Sequence, residues 1–435
     1  MSTLRRSWLV IGLWLATMLL ALLFPAEAAG GRDIFLNLSY LFGGLLILSF
    51  MWAHFGLRGL RVTRQLHSNR SRVGKYAEET LVVENTGPFP KLWLEVRDHS
   101  ELPFHRVSRV LSWLPARRQR SWVTKTPCYR RGRFHLGPVT LYSGDPFGLF
   151  LRKRELELTG SLVVYPATVE LPAFAPPLGE MSGGSRLRRR THDVTTNVAG
   201  VRDYAPGDSF NRIHWPSSAR VGQLIVKEFE LDPLADIWLF LDMELRVHVG
   251  RPGSFVPDVS LPSVLHVLLE SPGALQLDPN TEEYAVAVTA SLACHFLDRG
   301  WSLGLITYPR DQRREVAQAD RGPRQIDRLL STLAVIRPLG SVPLAQMLEA
   351  ETVFLTRNSV AIVVTPSVTH ASWVPALRRL MRRGVRTSAV GIDPASFVPG
   401  SAAPEAADSV VAGLLAGRVP CYLVRAGDRL QDVLR

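Results

Sequence analysis

Apolar residues follow three different patterns along the chain, and each pattern predicts a different kind of structure. Two uncharged apolar runs lie near the start, at about residues 8–24 and 34–55. Alternation of apolar and polar residues, interrupted by Gly and Pro turns, then fills residues 58–166, which is typical of short antiparallel strands. From residue 233, nearly continuous apolar runs alternate with helical periodicity, and this indicates a mainly parallel sheet covered on both faces.

These patterns predict a multi-domain protein. Residues 1–57 are predicted to form two transmembrane helices joined as a hairpin, since about 20 apolar residues span a bilayer. A β-sandwich-like domain is predicted over residues 58–166, and a doubly wound α/β domain over residues 233–435. Residues 167–200 are rich in Pro, Gly and Ser and contain a basic RLRRR cluster, so they are predicted to be a linker. Residues 201–232 form a separate polar segment.

The first apolar run has a second interpretation, as a cleavable signal peptide. Arg5 and Arg6 form a basic start, and Ala26-Glu27-Ala28 imitates the small-residue pattern of a cleavage site. The second run would still anchor the protein in that case.

Basic residues beside the apolar runs predict the orientation in the membrane, because Lys and Arg next to a span are retained in the cytoplasm. Arg5 and Arg6 precede the first run, and the residues that follow the second run are Arg58, Arg61, Arg64, Arg70, Arg72 and Lys75. The protein is therefore expected in the inner (plasma) membrane, with both termini and the soluble body in the cytoplasm. The same arginines are expected to touch anionic lipid headgroups.

Composition narrows the possible functions. The 435 residues are 46% hydrophobic and carry a net charge of +12, so a largely disordered chain is excluded. The positive charge lies partly beside the apolar runs and no recognition module is visible, so no nucleic-acid partner is expected. The three cysteines lie far apart, which indicates neither a disulfide framework nor a thiolate zinc site.

Ligands of an α/β sheet bind at the carboxyl ends of its strands, and acids lie at one of these ends. The order of elements resembles a von Willebrand factor A domain, whose first strand usually ends in Asp-x-Ser-x-Ser and binds a divalent cation. Here Asp242 matches the first position, but both serines are missing and Arg246 would repel an ion. Asp242 and Glu244 are weak candidates for Mg²⁺, and no resident cofactor is expected.

The segment 201–232 contains "VRDYAPGDSFNRIHWPSSARVGQLIVKEFE", in which arginines and aromatic residues surround a Pro-Gly turn. Arginine forks suit carboxylates, and Trp and Arg dominate binding hot spots. The arginines are therefore either partner contacts or internal partners of Asp203, Asp208 and Glu228. A hydrolase with Ser209 as nucleophile and His214 as base is a further alternative, but the chain has no nucleophile elbow, so no enzyme is predicted.

This segment closely resembles the hallmark of the bacterial family called domain of unknown function fifty-eight. The matching positions are Arg202, Tyr204, Gly207, Asp208, Arg212, Ile213, Trp215, Ser218, Ala219, Arg220, Lys227 and Glu228. The resemblance implies a membrane-anchored protein that works with a MoxR-type AAA+ ATPase on client proteins and has no established catalytic reaction. The expected function is thus a non-enzymatic interaction or assembly factor. The alternative is a divalent-cation-dependent adhesion module that uses Asp242.

Overall fold

The structure is a computed structural model that describes residues 2–23, 31–172, 174, 198–205, 213–229, 236–250, 277–311, 313–357, 359–369, 371–398 and 404–435. The chain divides into two compact units, Met1–Pro166 and Ala167–Arg435. The two units are described separately.

Unit 1 begins with two helices, α1 (Ser2–Leu23) and α2 (Gly31–Gly56), which pack against each other. Of the described helices, one stretch, Arg32–Gly56 in α2, is long and apolar enough to cross a membrane. The apolar stretch of α1, Ser7–Leu23, is shorter. Of the two transmembrane helices predicted from the sequence, α2 is therefore the one whose length and composition are sufficient. The imitated cleavage site at residues 26–28 lies outside the described residues.

Ten strands follow in unit 1, and they form three sheets. Their bounds are β1 Leu60–Leu66, β2 Arg70–Arg72, β3 Tyr76–Asn85, β4 Leu94–Asp98, β5 Arg109–Leu111, β6 Gln119–Pro127, β7 Gly132–Leu136, β8 Val139–Gly144, β9 Leu151–Leu156 and β10 Gly160–Tyr165. The sheet orders are β1-β3-β6, β5-β4-β8-β9 and β2-β10-β7. The first two sheets are antiparallel.

One apolar cluster joins the two antiparallel sheets. Leu81 and Val83 from β3 and Leu94 and Val96 from β4 are fully buried in it. Apolar residues at alternate positions of a strand point to the same face, so the period-two pattern places these side chains inward. The result is two sheets packed over a shared core, which is the arrangement of a β-sandwich.

Unit 2 contains the remaining strands and seven helices among the described residues. The strands are β11 Val198–Asp203, β12 Ile225–Phe229, β13 Ile237–Leu241, β14 Leu303–Asp311, β15 Arg313–Asp320, β16 Leu339–Gly340, β17 Val360–Thr365, β18 Arg386–Ile392 and β19 Cys421–Val424. The helices are α3 Trp215–Val221, α4 Thr281–Asp298, α5 Pro323–Val335, α6 Leu344–Ala350, α7 Val374–Arg382, α8 Pro404–Ala416 and α9 Leu430–Val433.

A mixed, mainly parallel sheet forms the centre of unit 2. Its order is β15-β14-β13-β17-β18-β19, with β16 paired to β14. The strand that comes first in the chain, β13, lies in the middle, and all five of its residues are buried. On one face Trp238 and Phe240 share a core cluster with Leu348 of α6 and Leu377 of α7. Strands buried on both faces explain why the apolar runs are continuous instead of alternating.

The predicted linker needs a correction at its start. Leu171 is 2% exposed and Phe174 is 4% exposed, and the Phe174 ring contacts the rings of Phe296 and Tyr422. The amide of Val169 also donates to the Ser291 hydroxyl, at 3.0 Å. These residues are therefore part of the core of unit 2, because Leu and Phe in a Pro-rich stretch still gain free energy from burial. Residues 175–197 lie outside the described residues.

Candidate functional site

The family-like segment forms a small sheet in which β12 is the central strand. β11 pairs with β12 in antiparallel register, with Arg202 opposite Val226, and Ile213 bridges Val226. Ile213 is 3% exposed and Val226 is 1% exposed. The buried aliphatic pair therefore holds Ile213 against β12.

One polar side chain caps helix α3, and another holds the helix to this sheet. His214 is its N-cap, and its Nδ1 accepts a hydrogen bond from the amide of Ser217 at 3.3 Å. Ser218 is buried, its hydroxyl donates to the His214 carbonyl at 3.1 Å, and it accepts from the Ile225 amide at 2.9 Å. Gly222 ends the helix with φ of 76°, a left-handed conformation that favours glycine. The helix is thus positioned by hydrogen bonds and caps.

Four exposed side chains of this segment are apolar or basic, and together we call them the α3 face: Trp215, Arg220, Val221 and Leu224. The Trp215 side chain is 63% exposed, Val221 is 59% exposed and Leu224 is 42% exposed. Arg220 is exposed between them in the sequence. Exposed apolar side chains mark an interaction surface where they form a contiguous patch.

Some of the other hallmark residues lie among the described residues, and the rest do not. The Arg202 guanidinium donates to the main-chain oxygen of Asp203 at 3.0 Å, and the Tyr204 amide donates to the Leu224 carbonyl at 2.8 Å. Lys227 and Glu228 lie on β12 opposite Val201 and Gly200, and Ala219 is an exposed position of α3. Gly207, Asp208 and Arg212, and the alternative nucleophile Ser209, lie outside the described residues.

The acid at the end of β13 is enclosed by protein donors. Asp242 is 1% exposed. Its Oδ2 accepts from the Thr365 hydroxyl at 2.6 Å, and its Oδ1 accepts from the Glu244 amide at 3.1 Å. Burial raises the pKa of Asp242 from 3.8 to about 6, and the two hydrogen bonds act in the opposite direction. This carboxylate therefore titrates close to the physiological range.

These residues fit a divalent cation poorly. Both carboxylate oxygens of Asp242 already have a protein donor, and the Thr365 oxygen also accepts from the Ser367 amide at 2.9 Å. Within the part of the chain that the structure describes, no group of three or more His, Cys, Asp or Glu side chains is arranged to hold a metal ion. A hard cation would need several free oxygen ligands, which Asp242 and Glu244 do not supply.

Unit 1 contains a buried ionic cluster that the sequence analysis missed. Arg64 donates to Glu79 Oε1 at 2.7 Å and also pairs with Asp98, and all three side chains are 3–4% exposed. The Nε2 of His105 lies 3.2 Å from Glu79 Oε2 and 3.5 Å from Asp98 Oδ2. Arg64 was expected at lipid headgroups, and that expectation is wrong because β1 carries it into the sandwich.

Strand register was the signal that would have found this cluster. Arg64 follows Leu60 and Val62 at alternate positions of β1, Glu79 precedes Leu81 and Val83 on β3, and Asp98 follows Leu94 and Val96 on β4. Each charged residue thus occupies a position on the apolar face of its strand.

The family-like segment of residues 201–232 lies within the match to a known family. A family model described as "Protein of unknown function DUF58" matches residues 200–252. An uncharacterized protein YeaD of Bacillus subtilis (strain 168) is 27% identical over 252 residues, which cover 54% of this chain and 61% of that protein. The chain therefore matches less than two thirds of the length of this relative. Together the two matches support the DUF58 family.

Two solved structures are each similar to about a quarter of the chain. The CARDB domain of the PF1109 protein from Pyrococcus furiosus is similar at a TM-score of 0.19 and 16% identity, over 24% of this chain and 86% of that chain. The sporulation control protein Spo0M from Bacillus subtilis is similar at a TM-score of 0.17 and 10% identity, over 25% of this chain and 50% of that chain.

Proposed function

We propose that the protein is a membrane-anchored, non-enzymatic interaction factor whose α3 face docks another protein. The exposed Trp215 carries this proposal, because its 63% exposed side chain lies on a helix that caps and hydrogen bonds hold in place. A rigid, preformed apolar surface loses little entropy on binding. Arg220 adds a fork suited to a carboxylate of the partner.

A MoxR-type AAA+ ATPase and its client proteins are the partners that the family resemblance implies. The sheet order of unit 2 supports the von Willebrand factor A-like interpretation, since the first strand is central and the later parallel strands extend to one side. Domains of this architecture suit protein docking because their loops meet at one edge of the sheet.

Attachment to the inner membrane is part of the same proposal. Arg32–Gly56 supports one spanning helix. In this proposal α1, which packs against α2, crosses beside it, and the basic residues that flank both helices keep both ends in the cytoplasm. A Cβ atom at Gly43 would lie 2.9 Å from Trp14 Nε1, so the small residue allows the two helices to approach closely, as in membrane helix pairs.

The test compares binding of the purified MoxR-type ATPase from the same genome to the detergent-solubilised full chain. Trp215→Ser is expected to weaken binding by about 30-fold, the effect of a hot-spot residue worth about 2 kcal/mol. Val353→Ser is the control variant, because it removes a different exposed apolar side chain of unit 2, which is 87% exposed. It is expected to change binding less than about twofold. Equal affinities of wild type and Trp215→Ser would contradict the proposal.

A further inference from the structure

The end of unit 1 that receives α2 is built from three loops, which we call the membrane-proximal loops: residues 86–93, 112–118 and 145–151. The Lys91 ammonium donates to the Phe55 carbonyl at the last turn of α2, at 2.8 Å. The Thr86 amide donates to the Gly59 carbonyl at 2.7 Å, and the main chains of Lys91 and Leu114 pair. These contacts place the first two loops around the point where the helix joins the domain.

The third loop lies beside α2 itself. The rings of Phe150 and Phe50 pack edge to face with centroids 5.8 Å apart, and the Arg152 guanidinium lies 5.8 Å from the centre of the same Phe50 ring. Phe50 precedes the end of α2 at Gly56 by about 9 Å, at 1.5 Å per residue. The stretch Arg32–Gly56 has 25 residues and is about 37 Å long, more than the hydrocarbon thickness of about 30 Å. If the excess of about 7 Å lies at the carboxyl end of α2, Phe50 and the loop beside it lie within about 2 Å of the level where the helix leaves the hydrocarbon.

Internal hydrogen bonds hold the third loop in a shape that leaves apolar side chains outside. The Asp145 carboxylate accepts from the amides of Phe147 at 3.0 Å and Phe150 at 2.6 Å. Phe147 is 54% exposed and Leu151, which follows directly, is 45% exposed. The other two loops expose aromatic side chains as well, with Phe89 at 64% and Trp113 at 46%. Aromatic rings of this kind favour the headgroup region of a bilayer.

The exposed charge on and beside the same loops has one sign. Exposed arginines at the loops and at the helix junction are Arg58, Arg117, Arg118 and Arg152. In the three loops, all of which the structure describes, the carboxylate is Asp145, and it is buried and bonded to amides. Arg70, Arg72 and Lys75 lie at the opposite end of the sandwich, because β1 runs from Leu60 to Leu66 away from the helix, a distance of about 20 Å.

We propose that the membrane-proximal loops dock onto an anionic lipid bilayer beside α2, with the aromatic side chains at headgroup level and the arginines on lipid phosphates. The proposal rests on membrane attachment through α2, which is part of the proposed function. Continuity with α2 and the one-sided charge favour a lipid surface over an acidic protein. The docked loops would fix the orientation of the sandwich relative to the membrane plane.

The test is amide hydrogen exchange of the full chain reconstituted in vesicles of phosphatidylcholine alone or with phosphatidylglycerol added. Peptides covering the three loops are expected to exchange more slowly in the anionic vesicles, by a factor of about five or more. This factor corresponds to about 1 kcal/mol per arginine near an anionic surface. The peptide covering residues 127–133 at the far end of β6, about 26 Å away, is expected to exchange equally in both vesicles.

Two variant pairs make the result specific. Arg117→Glu with Arg118→Glu is expected to remove the effect of phosphatidylglycerol, whereas the matched change Arg133→Glu at the far end is expected to keep it. Trp113→Ser with Phe147→Ser is expected to reduce loop protection in both vesicles, and Tyr76→Ser is the far-end control. Loop exchange that is equal in both vesicles, while α2 amides stay protected, would overturn this proposal alone. Unprotected α2 amides would instead overturn the membrane attachment.

Discussion

The raised pKa of the buried Asp242 carboxylate predicts how the free energy of unfolding depends on pH. Its pKa rises from an ordinary 3.8 to about 6 in the folded protein, mainly through burial. Between these two pH values the folded state binds more protons than the unfolded state, so the free energy of unfolding falls as pH rises from 4 to 6. A shift of this size corresponds to about 3 kcal/mol across the whole window.

Asp242→Asn removes the titrating group and keeps the shape of the side chain. The amide oxygen can still accept from the Glu244 amide, and the amide nitrogen can donate to the Thr365 hydroxyl oxygen. Between pH 4.5 and pH 7.5 the wild type is expected to lose about 2 kcal/mol relative to the variant. The comparison between two pH values cancels any constant change in hydrogen bonding.

Hydrogen exchange of peptides covering Ile237–Leu241 and Val360–Thr365 in the full chain measures this difference locally. The ratio of wild-type to variant exchange rates is expected to rise about 30-fold from pH 4.5 to pH 7.5. Glu244→Gln is the control, because it removes a neighbouring acid whose charge makes the smallest contribution to the raised pKa of Asp242, and it is expected to leave most of the wild-type pH dependence in place. A ratio that stays constant, or that falls as pH rises, would refute the account of Asp242.

Two stability predictions follow from buried polar contacts. Arg64→Met is expected to destabilise unit 1 by about 3–5 kcal/mol, because it leaves the buried Glu79 and Asp98 without their cation. Urea denaturation followed by hydrogen exchange of unit 1 peptides measures this loss of stability. A loss below about 1 kcal/mol would contradict the prediction. Ser218→Ala is expected to lower the stability of the segment by about 1–3 kcal/mol, because the Ile225 amide loses its buried acceptor. Hydrogen exchange of the β12 amides measures this effect. Unchanged protection of these amides would show that the Ser218 hydroxyl is dispensable.

The pattern of apolar residues predicted the layers of both units because burial sets that pattern directly. Alternation indicated β3 and β4 of the sandwich, and continuous runs indicated β13 and β17 of the central sheet. The helical periodicity after residue 233 corresponds to helices such as Pro323–Val335 and Pro404–Ala416. These elements are determined by local periodicity, which a single sequence contains.

Features that depend on pairing between distant strands could not be predicted in the same way. The neighbour of Arg64 is Asp98, 34 residues later, and nothing local connects the two. The membrane-proximal loops come from three separate turns that meet only after the sandwich forms. Proximity along the chain therefore assigned headgroup contacts to Arg64, Arg70 and Arg72, although the strand direction takes these residues away from α2.

The family-like segment allowed two interpretations, internal structure or partner contact. Some of its residues are buried and fit the first interpretation, whereas others are exposed and leave the second open. Ile213 and Ser218 are 3% and 8% exposed, so their identities are explained by packing and by hydrogen bonds to β12. Trp215 and Val221 are 63% and 59% exposed, so most of their apolar surface contributes nothing to the core. Exposed apolar surface forgoes about 25 cal/mol per Å², and burial against a partner would recover this. The structural role therefore accounts for the buried residues of the segment, and the docking that we propose would account for the exposed ones.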